Sequence, residues 1–211
     1  MWKDLSERWQ IVLKEAWTAF CSGSIPIGAA VFDKQGRLLI KDHNRGGEPE
    51  TPTPRAAHAE MNALRLLDCR LGINVKELTL LSSMEPCPMC LGAVVMCNIK
   101  KVEYGAHDRW CGAIHQLDSD PYYRSQRISV TDPGEETEFF QLVLSSYYEL
   151  NQIKKGSSPS VLECFRISSG SAVGFAEKLY LRKVLDHFVI DKRPCAEVYD
   201  YIMQLKESKD V

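Results

Sequence analysis

Two short segments of the chain carry side chains whose types and spacing suit catalysis. The first is HAE at residues 58–60, and the second is PCPMC at residues 86–90. Cys87 and Cys90 are three residues apart, so in a helical turn their side chains face the same way. A helix N-terminus lowers the pKa of nearby thiols. Considered alone, the cysteine pair is compatible with a metal site, a redox dithiol or two incidental cysteines.

His58 extends the cysteine pair to a set of three ligands. One imidazole and two thiolates match the ligand preferences of Zn²⁺. Three protein ligands leave the fourth tetrahedral position for water, which is typical of a catalytic zinc site. Zinc lowers the pKa of that water towards ~7, so hydroxide forms at neutral pH. We therefore predict one Zn²⁺ per chain, bound by His58, Cys87 and Cys90.

Glu60 provides the base that such a water needs. It lies two residues from His58 in the same opening turn of a predicted helix, so it can reach the water without binding the metal. A surface glutamate is the alternative for this residue considered alone. A redox dithiol explains neither His58 nor Glu60, and a non-catalytic zinc module has no use for Glu60. The four residues together favour a hydrolase.

Hydrophobic spacing predicts the elements that position these residues. Apolar residues three and four apart predict a helix over residues 2–21, and two apolar runs around a polar turn predict a β-hairpin over 25–41. Further helices are predicted over 58–70, 88–98 and 135–153, strands over 76–83, 101–105 and 127–131, and a loop over 43–57. Strands that alternate with helices are typical of an α/β sandwich.

The C-terminal part of the chain differs from the rest. Charged, Gly, Ser and Pro residues at 154–160 predict a linker, and two helices are predicted over 172–187 and 194–207. We therefore divide the chain into a first domain at 1–155 and a helical extension at 156–211. Within 161–211 there are 8 basic and 8 acidic residues, so the extension is neutral. One possible role of the extension is to cap the active-site pocket.

Composition limits the class of protein. The 211 residues are 45% hydrophobic and 26% charged, which excludes a disordered chain. The net charge of -2 does not favour nucleic-acid binding. Neither a secretory signal nor an apolar stretch of membrane-spanning length is visible, so we expect a cytoplasmic protein with reduced thiols and no membrane partner. The cysteines expected to be small buried residues are Cys21, Cys69, Cys97, Cys164 and Cys195.

The chain resembles the cytidine deaminase-like superfamily, which shares the motif H-x-E followed by P-C-x-x-C. The similar segments are residues 25–39, Asn44-Arg45, 58–64, 83–95 and 102–108. They are most similar to the branch that contains tRNA adenosine, guanine and nucleoside deaminases. This resemblance implies a three-layer α/β/α sandwich with a mixed five-stranded sheet. It also implies a zinc ion bound where two helix N-termini meet.

The resemblance also implies roles for individual residues. Glu60 would carry protons from the zinc-bound water to a ring nitrogen and then to the departing amine. Asn44 would hydrogen-bond the base, and the backbone N–H of Ala59 would contact its carbonyl or ring edge. Asp108 matches a position beside the sugar of the target nucleotide. Trp110, in the segment after the fourth strand, is a candidate for stacking on a base. The alternatives are a loop-capping role for Asn44 and surface packing for Trp110.

The implied reaction is hydrolytic removal of an amino group as ammonia. The lack of a basic tail and the neutral extension favour a free nucleobase or nucleoside over tRNA, since binding to phosphates supplies most of the affinity for nucleic acid. The resemblance favours a purine such as guanine, guanosine or an adenine-type ring. The alternatives are a tRNA-specific adenosine deaminase and a cytosine or cytidine deaminase. By analogy with the family, we expect a homodimer.

Overall fold

The computed structural model describes residues 1–67 and 72–208. The elements up to the fourth strand are α1 (Glu7–Cys21), β1 (Gly28–Phe32), β2 (Leu38–His43), α2 (Ala59–Leu66), β3 (Thr79–Ser82), α3 (Pro88–Met96) and β4 (Lys101–Tyr104). They are followed by α4 (Gln116–Ser119), α5 (Pro121–Ser125), β5 (Ser129–Thr131), α6 (Glu135–Lys154), α7 (Ser160–Ser168), α8 (Gly170–Leu181), α9 (Val184–Ile190) and α10 (Cys195–Ser208). Short 3-10 helices lie at Trp2–Asp4, Pro54–Ala56 and Val75–Glu77.

The predicted order of elements is confirmed up to β4, and β5 follows two short helices that were not predicted. The boundaries of the predicted elements shift for local reasons. The first helix begins at Glu7 rather than residue 2, because the Ser6 side chain accepts a hydrogen bond from the Trp9 N–H and caps the helix there. The helix predicted over 58–70 is α2, which ends at Leu66, and residues 68–70 lie outside the described residues.

Three short helices were not predicted, and one region predicted as a single helix contains two helices. The unpredicted helices are α4, α5 and α7. They have only four, five and nine residues, which is too short for a clear hydrophobic period. The helix predicted over 172–187 is wrong as a single element. Lys183 has a φ of 54°, a left-handed conformation that interrupts the helix between α8 and α9.

The five strands form one mixed sheet in the order β2-β1-β3-β4-β5. The predicted hairpin is confirmed, since β1 pairs antiparallel with β2. On its other edge β1 pairs antiparallel with β3, whereas β3, β4 and β5 run parallel. The carboxyl ends of β3 and β4 therefore lie at the same edge of the sheet, and the segments that follow them start there.

Alternating side chains along the strands cover both faces of the sheet. Val31 and Leu80 pack with Leu64 of α2 and Val94 of α3, whereas Phe32 packs with Val12 of α1 on the opposite face. These contacts give the three layers that the resemblance implies. Gly28 allows α1 to approach β1 closely, because a Cβ there would lie 2.3 Å from the Val12 carbonyl oxygen.

The C-terminal helices share a hydrophobic core with the rest of the chain. Trp17 of α1, Leu142 of α6, Val173 of α8 and Val198 of α10 belong to one buried cluster. The Trp17 indole also donates to the Arg193 carbonyl oxygen at 2.9 Å. The boundary predicted at residues 155 and 156 falls in an exposed stretch between α6 and α7.

No helix in the described ranges has the length and apolar character to span a membrane.

The prediction that five cysteines are buried is largely wrong. Cys195 is buried and Cys164 is partly buried, but Cys21 and Cys97 are exposed. Cys21 is the last residue of α1, and Cys97 directly follows α3. At such positions a cysteine is not enclosed by the packed layers. Cys69 lies outside the described residues.

Candidate active site

The predicted metal ligands meet where the N-termini of α2 and α3 converge. His58 is the residue immediately before α2, and Cys87 is the residue immediately before α3. Pro88 occupies the first position of α3, where its missing N–H costs no hydrogen bond. Cys90 follows in the first turn, so both thiols point towards His58. The His58 Nδ1 atom lies 3.5 Å from each sulfur, and the two sulfurs are 3.6 Å apart.

These three atoms have the spacing of a zinc site. Zn–S bonds of ~2.3 Å and Zn–N bonds of ~2.0–2.1 Å place tetrahedral ligand atoms roughly 3.6–3.8 Å apart. The distances between the His58, Cys87 and Cys90 donors agree with these values. In the part of the chain that the structure describes, one group of His, Cys, Asp or Glu side chains is close enough together to bind a metal ion, and it consists of His58, Cys87 and Cys90. The donor set therefore fits zinc.

The surroundings of the two thiols also favour a cation. Hydrogen bonding with Cys90 lowers the pKa of Cys87 to about 4 despite partial burial, and His58 acts in the same direction. The proximity of Cys87 and burial raise the pKa of Cys90. One thiolate is thus stabilised by its neighbours, and a divalent cation favours deprotonation of the second thiol as well.

Glu60 lies beside the cluster in a buried position. It is 3% exposed, and its Oε1 atom accepts a hydrogen bond from Ser82 Oγ at 3.0 Å. Its Oε2 atom lies 3.4 Å from Cys90 Sγ. Burial raises the pKa of the Glu60 carboxyl, although the nearby His58 opposes this shift. A carboxyl group with a raised pKa is suited to accepting a proton and then donating it.

A cavity of about 200 Å³ opens next to these residues, and most of the predicted contact residues line it. His58, Glu60 and Cys87 lie on its wall together with three predicted substrate contacts, namely Asn44, Asp108 and Trp110. Ala59 is buried and does not line the cavity. It is the first residue of α2, so its N–H has no partner within the helix.

Asn44 shapes a loop and also faces the cavity. Its Oδ1 atom accepts a hydrogen bond from the Gly46 N–H at 2.8 Å, and its own N–H donates to the Ile27 carbonyl oxygen at 2.9 Å. The loop-capping alternative is therefore observed, together with the position on the cavity wall. With Oδ1 engaged, the amide NH₂ is the group with which Asn44 can donate to a ligand.

The segment after β4 contributes Asp108, Trp110 and Cys111 to the wall. The Asp108 carboxylate accepts hydrogen bonds from the N–H groups of Trp110 at 2.8 Å and Cys111 at 3.3 Å, so it organises its own loop. Trp110 is 55% exposed and lies at the rim of the cavity. His107 and His115, from the same segment, do not line the cavity. His107 instead contacts Glu138 Oε1 at 2.8 Å.

Several cavity residues were not predicted from the sequence. Ser145, Tyr148 and Glu149 reach the wall from α6, and Val161 and Phe165 reach it from α7. Apolar residues at 161, 162 and 165 have helical spacing, and this signal could have revealed α7. Nothing in the local pattern indicates that α6 and α7 approach the zinc ligands.

The charged side chains on the cavity wall are acidic, although most of the wall is apolar. Glu60, Glu85, Asp108 and Glu149 all line it, whereas none of the wall residues among those described is Lys or Arg. Burial and the proximity of Asp108 raise the pKa of Glu149. An adjoining surface depression shares Asn44, His58 and Tyr148 with the cavity and carries the exposed Arg55.

Comparison with known proteins places these motifs in a family. Residues 3–106 match the family model of the cytidine and deoxycytidylate deaminase zinc-binding region. The tRNA-specific adenosine deaminase of Bacillus subtilis (strain 168) is 33% identical over 155 residues, which cover 72% of this chain and 93% of that protein. The tRNA-specific adenosine deaminase of Aquifex aeolicus (strain VF5) is 38% identical over 106 residues, which cover 50% of this chain and 68% of that protein.

Solved structures agree with this assignment. A structure from a study of A-to-I editing by tRNA:A34 deaminases at the wobble position has a TM-score of 0.51 and 28% identity, and covers 60% of this chain and 91% of that chain. The guanine deaminase of Nitrosomonas europaea has a TM-score of 0.51 and covers 68% of this chain and 83% of that chain; its 21% identity shows the fold alone. This chain belongs to the cytidine and deoxycytidylate deaminase family of zinc-dependent hydrolytic enzymes.

Proposed function

We propose that this deaminase acts on a free nucleobase or nucleoside, with a purine such as guanine, guanosine or an adenine-type ring favoured. The observation that carries this choice is the acidic cavity wall, with its four carboxyl side chains and no Lys or Arg among the described residues that line it. The carboxylates of Glu85 and Asp108, which accept hydrogen bonds from backbone N–H groups, would repel a phosphate group close to them, and the low dielectric of a cleft strengthens that repulsion. A neutral heterocycle that presents N–H donors fits the same wall.

The C-terminal extension supports a small substrate. Val161 and Phe165 of α7 line the cavity together with residues of the first domain, so the extension limits the space beside the predicted zinc ligands. A free base or nucleoside can enter a cavity of about 200 Å³, whereas a polynucleotide must place its neighbouring nucleotides outside it. In this proposal, residues 1–155 supply the catalytic groups and residues 156–211 supply part of the pocket wall.

The polar groups on the wall favour a purine with several N–H donors. The Glu149 carboxyl group can accept hydrogen bonds from ring and exocyclic N–H groups, and the Asn44 amide can donate to a ring carbonyl or nitrogen. Guanine presents such donors and a carbonyl acceptor on one edge. Trp110 at the rim offers an aromatic face for a planar ring.

In this mechanism, His58, Cys87 and Cys90 would hold the zinc ion. When bound there, zinc would activate a water molecule for attack on the ring carbon that carries the amino group. Glu60 accepts the proton of that water and donates it to the adjacent ring nitrogen. Glu60 then takes the proton of the hydroxyl group newly bound to that ring carbon and passes it to the departing amino group, so ammonia leaves and a carbonyl remains. The hydrogen bond from Ser82 holds the Glu60 carboxylate in position during both transfers.

We include a homodimer in the proposal because one side of α3 is apolar and uncovered. Met89, Met96 and Cys97 are exposed on this side, and Gly92 and Ala93 lie between them, partly exposed. Met96 is 74% exposed, which is unusual for a large apolar side chain. A second copy of the chain that covers Met89 and Met96 across a two-fold axis would bury this apolar surface.

A second candidate function is adenosine deamination in tRNA. The curated relatives from Bacillus subtilis and Aquifex aeolicus carry that activity in their names. Arg55, exposed in the depression beside the cavity, is a group that could contact a phosphate outside the acidic wall. This candidate requires the nucleotides that flank the target to pass over Arg55.

The test is to incubate the zinc-loaded protein with free bases, nucleosides, 5′-nucleotides and unmodified tRNA in separate reactions. Ammonia and the deaminated products are measured by mass spectrometry, with Glu60→Gln as the inactive control. We expect turnover of a free purine base or nucleoside. Inosine that appears only in tRNA would establish the second candidate, and turnover of nucleotides alone would contradict the argument from the acidic wall.

A further inference from the structure

The loop between β4 and α4 carries cavity residues but has little regular structure of its own. It includes Asp108, Trp110 and Cys111, which all line the cavity. A loop that places substrate contacts must be held in position by the scaffold beneath it. The groups that hold this loop lie in the segment between β3 and α3, directly before the zinc ligand Cys87.

Glu85 joins the two ends of this loop. Its Oε2 atom accepts a hydrogen bond from the Asp108 N–H at 3.1 Å, and its Oε1 atom accepts one from the Ile114 N–H at 3.1 Å. Two backbone hydrogen bonds reinforce the attachment: Glu85 N–H donates to the Ala106 carbonyl oxygen at 2.8 Å, and Ala113 N–H donates to the Pro86 carbonyl oxygen at 3.0 Å. One carboxylate therefore links the loop to the segment that carries the zinc ligands.

The loop closes tightly over this carboxylate at Gly112. A Cβ atom built at Gly112 would lie 2.4 Å from Glu85 Cδ, 2.5 Å from Glu85 Oε2 and 2.4 Å from the Asp108 carbonyl oxygen. These distances are far below van der Waals contact, so only glycine fits without a shift of the loop. The close approach of Gly112 to Glu85 is a separate observation from the two hydrogen bonds. It also indicates that the loop packs directly against the Glu85 carboxylate.

We infer that Glu85 is a positioning residue, which sets substrate affinity by holding Asp108, Trp110 and Cys111 at a defined distance from the zinc ligands. The effect on substrate rests on the proposed function, whereas the effect on the loop does not. Glu85 has no salt bridge among the described residues, so its carboxylate serves the two loop N–H groups.

A carboxylate is required here rather than an amide. The two N–H donors approach different oxygen atoms, and a glutamine offers one oxygen and one NH₂ group. Glu85→Gln therefore retains one of the two hydrogen bonds. At the other position the new NH₂ group faces a backbone N–H group, so two donors oppose each other. Glu85→Ala removes both hydrogen bonds. Gly112→Ala disturbs the same contact from the loop side and leaves Glu85 unchanged.

The experiment uses zinc-loaded protein labelled with 5-fluorotryptophan. The chain has 4 Trp residues, and Trp110→Phe assigns the Trp110 resonance in the ¹⁹F NMR spectrum. The variants are Glu85→Gln, Glu85→Ala and Gly112→Ala. The matched controls are Glu207→Gln, an exposed carboxylate on α10, and Gly174→Ala, a glycine with no atom within 4 Å of its added Cβ.

We expect the Trp110 resonance to shift or broaden in all three variants and to remain unchanged in both controls. Zinc content stays at one per chain. We expect the KM to rise roughly fivefold or more for the free purine that the wild-type protein deaminates best, because a partly buried hydrogen-bond partner is lost. The kcat should change less.

An unchanged Trp110 resonance in Glu85→Gln and Gly112→Ala would overturn the inference, and so would a shifted resonance with an unchanged KM. If Glu85→Ala loses zinc or fails to fold, Glu85→Gln and Gly112→Ala still give the answer. If no free base or nucleoside is deaminated, the proposed function fails, and the Trp110 resonance still tests the role of Glu85.

Discussion

The Ser82 hydroxyl donates a hydrogen bond to Glu60 Oε1 at 3.0 Å, which joins the end of β3 to the first turn of α2. Ser82 is fully buried, so this contact is shielded from water. It orients the carboxylate that lies beside His58 and Cys90. The proposed proton transfers by Glu60 depend on this orientation.

Glu60→Gln is expected to lower kcat by about 10²–10⁴-fold, because the amide cannot accept a proton from water. Zinc content measured by elemental analysis should stay at one per chain, since Glu60 is not among the three predicted ligands. Ammonia release is the measure of activity. A Glu60→Gln protein that has lost zinc would contradict the proton-transfer role and make Glu60 part of the metal site.

Cys87→Ala is expected to lower zinc content strongly, because it removes one of three protein ligands. Cys21→Ala is the matched control, since Cys21 is exposed at the end of α1 and far along the chain from the cluster. Elemental analysis after dialysis against a weak chelator distinguishes the two variants. Equal zinc content in Cys87→Ala and wild type would exclude Cys87 as a ligand.

Val161→Ala should raise the KM for a free base roughly three- to tenfold, because apolar contact between α7 and the ring is lost. Ile167→Ala is the control on the same helix, where the side chain is 70% exposed and does not line the cavity. Steady-state kinetics of both variants give the comparison. The role of α7 as a pocket wall would be refuted by equal KM values in Val161→Ala and Ile167→Ala.

His43 is expected to make stability depend on pH. Its Nδ1 atom lies 3.1 Å from Glu15 Oε2 and its Nε2 atom 2.9 Å from Glu48 Oε1. Burial lowers the pKa of His43, but the hydrogen bonds to both glutamates outweigh it and raise the pKa above the usual ~6.5. The other charged groups that face this cluster are Lys41, Asp42 and Arg45.

Because the folded pKa of His43 is raised, its stabilising contribution is fully present below pH ~6.5 and is lost as the pH rises through the folded pKa. Urea unfolding at a series of pH values should show this loss in the wild type. In His43→Gln the corresponding decline should be absent. Parallel pH profiles of the two proteins would show that His43 is not the group responsible.

Met96→Glu is expected to convert a dimer to a monomer, because it places charges on the apolar side of α3 across the proposed two-fold axis. Light scattering coupled to gel filtration measures the mass of wild type and variant. Leu181→Glu is the control, since Leu181 is 82% exposed on α8. A wild-type protein that is monomeric at micromolar concentration would contradict the proposed dimer.

Local spacing in the sequence was enough to predict the catalytic groups. His58 and Glu60 lie two residues apart at the start of one helix, and Cys87 and Cys90 three apart at the start of another, so each pair is placed by helix geometry alone. Apolar runs around a polar turn likewise predicted β1 and β2, and hydrophobic spacing predicted the order of the elements up to β4. These features depend on neighbours within a few positions along the chain.

Tertiary packing decided which distant segments complete the pocket. Glu149 of α6 and Phe165 of α7 reach the cavity because α6, α7 and α8 pack as a layer beside α1, and no local period encodes that arrangement. The same is true of Glu85, whose side chain meets N–H groups 23 and 29 positions away. The sequence by itself was therefore enough to predict a zinc site and Glu60 as its proton carrier. The packing of the later helices against α1 added Glu149 and Phe165 to the pocket wall, because contacts between distant segments arise only when the chain buries its apolar faces.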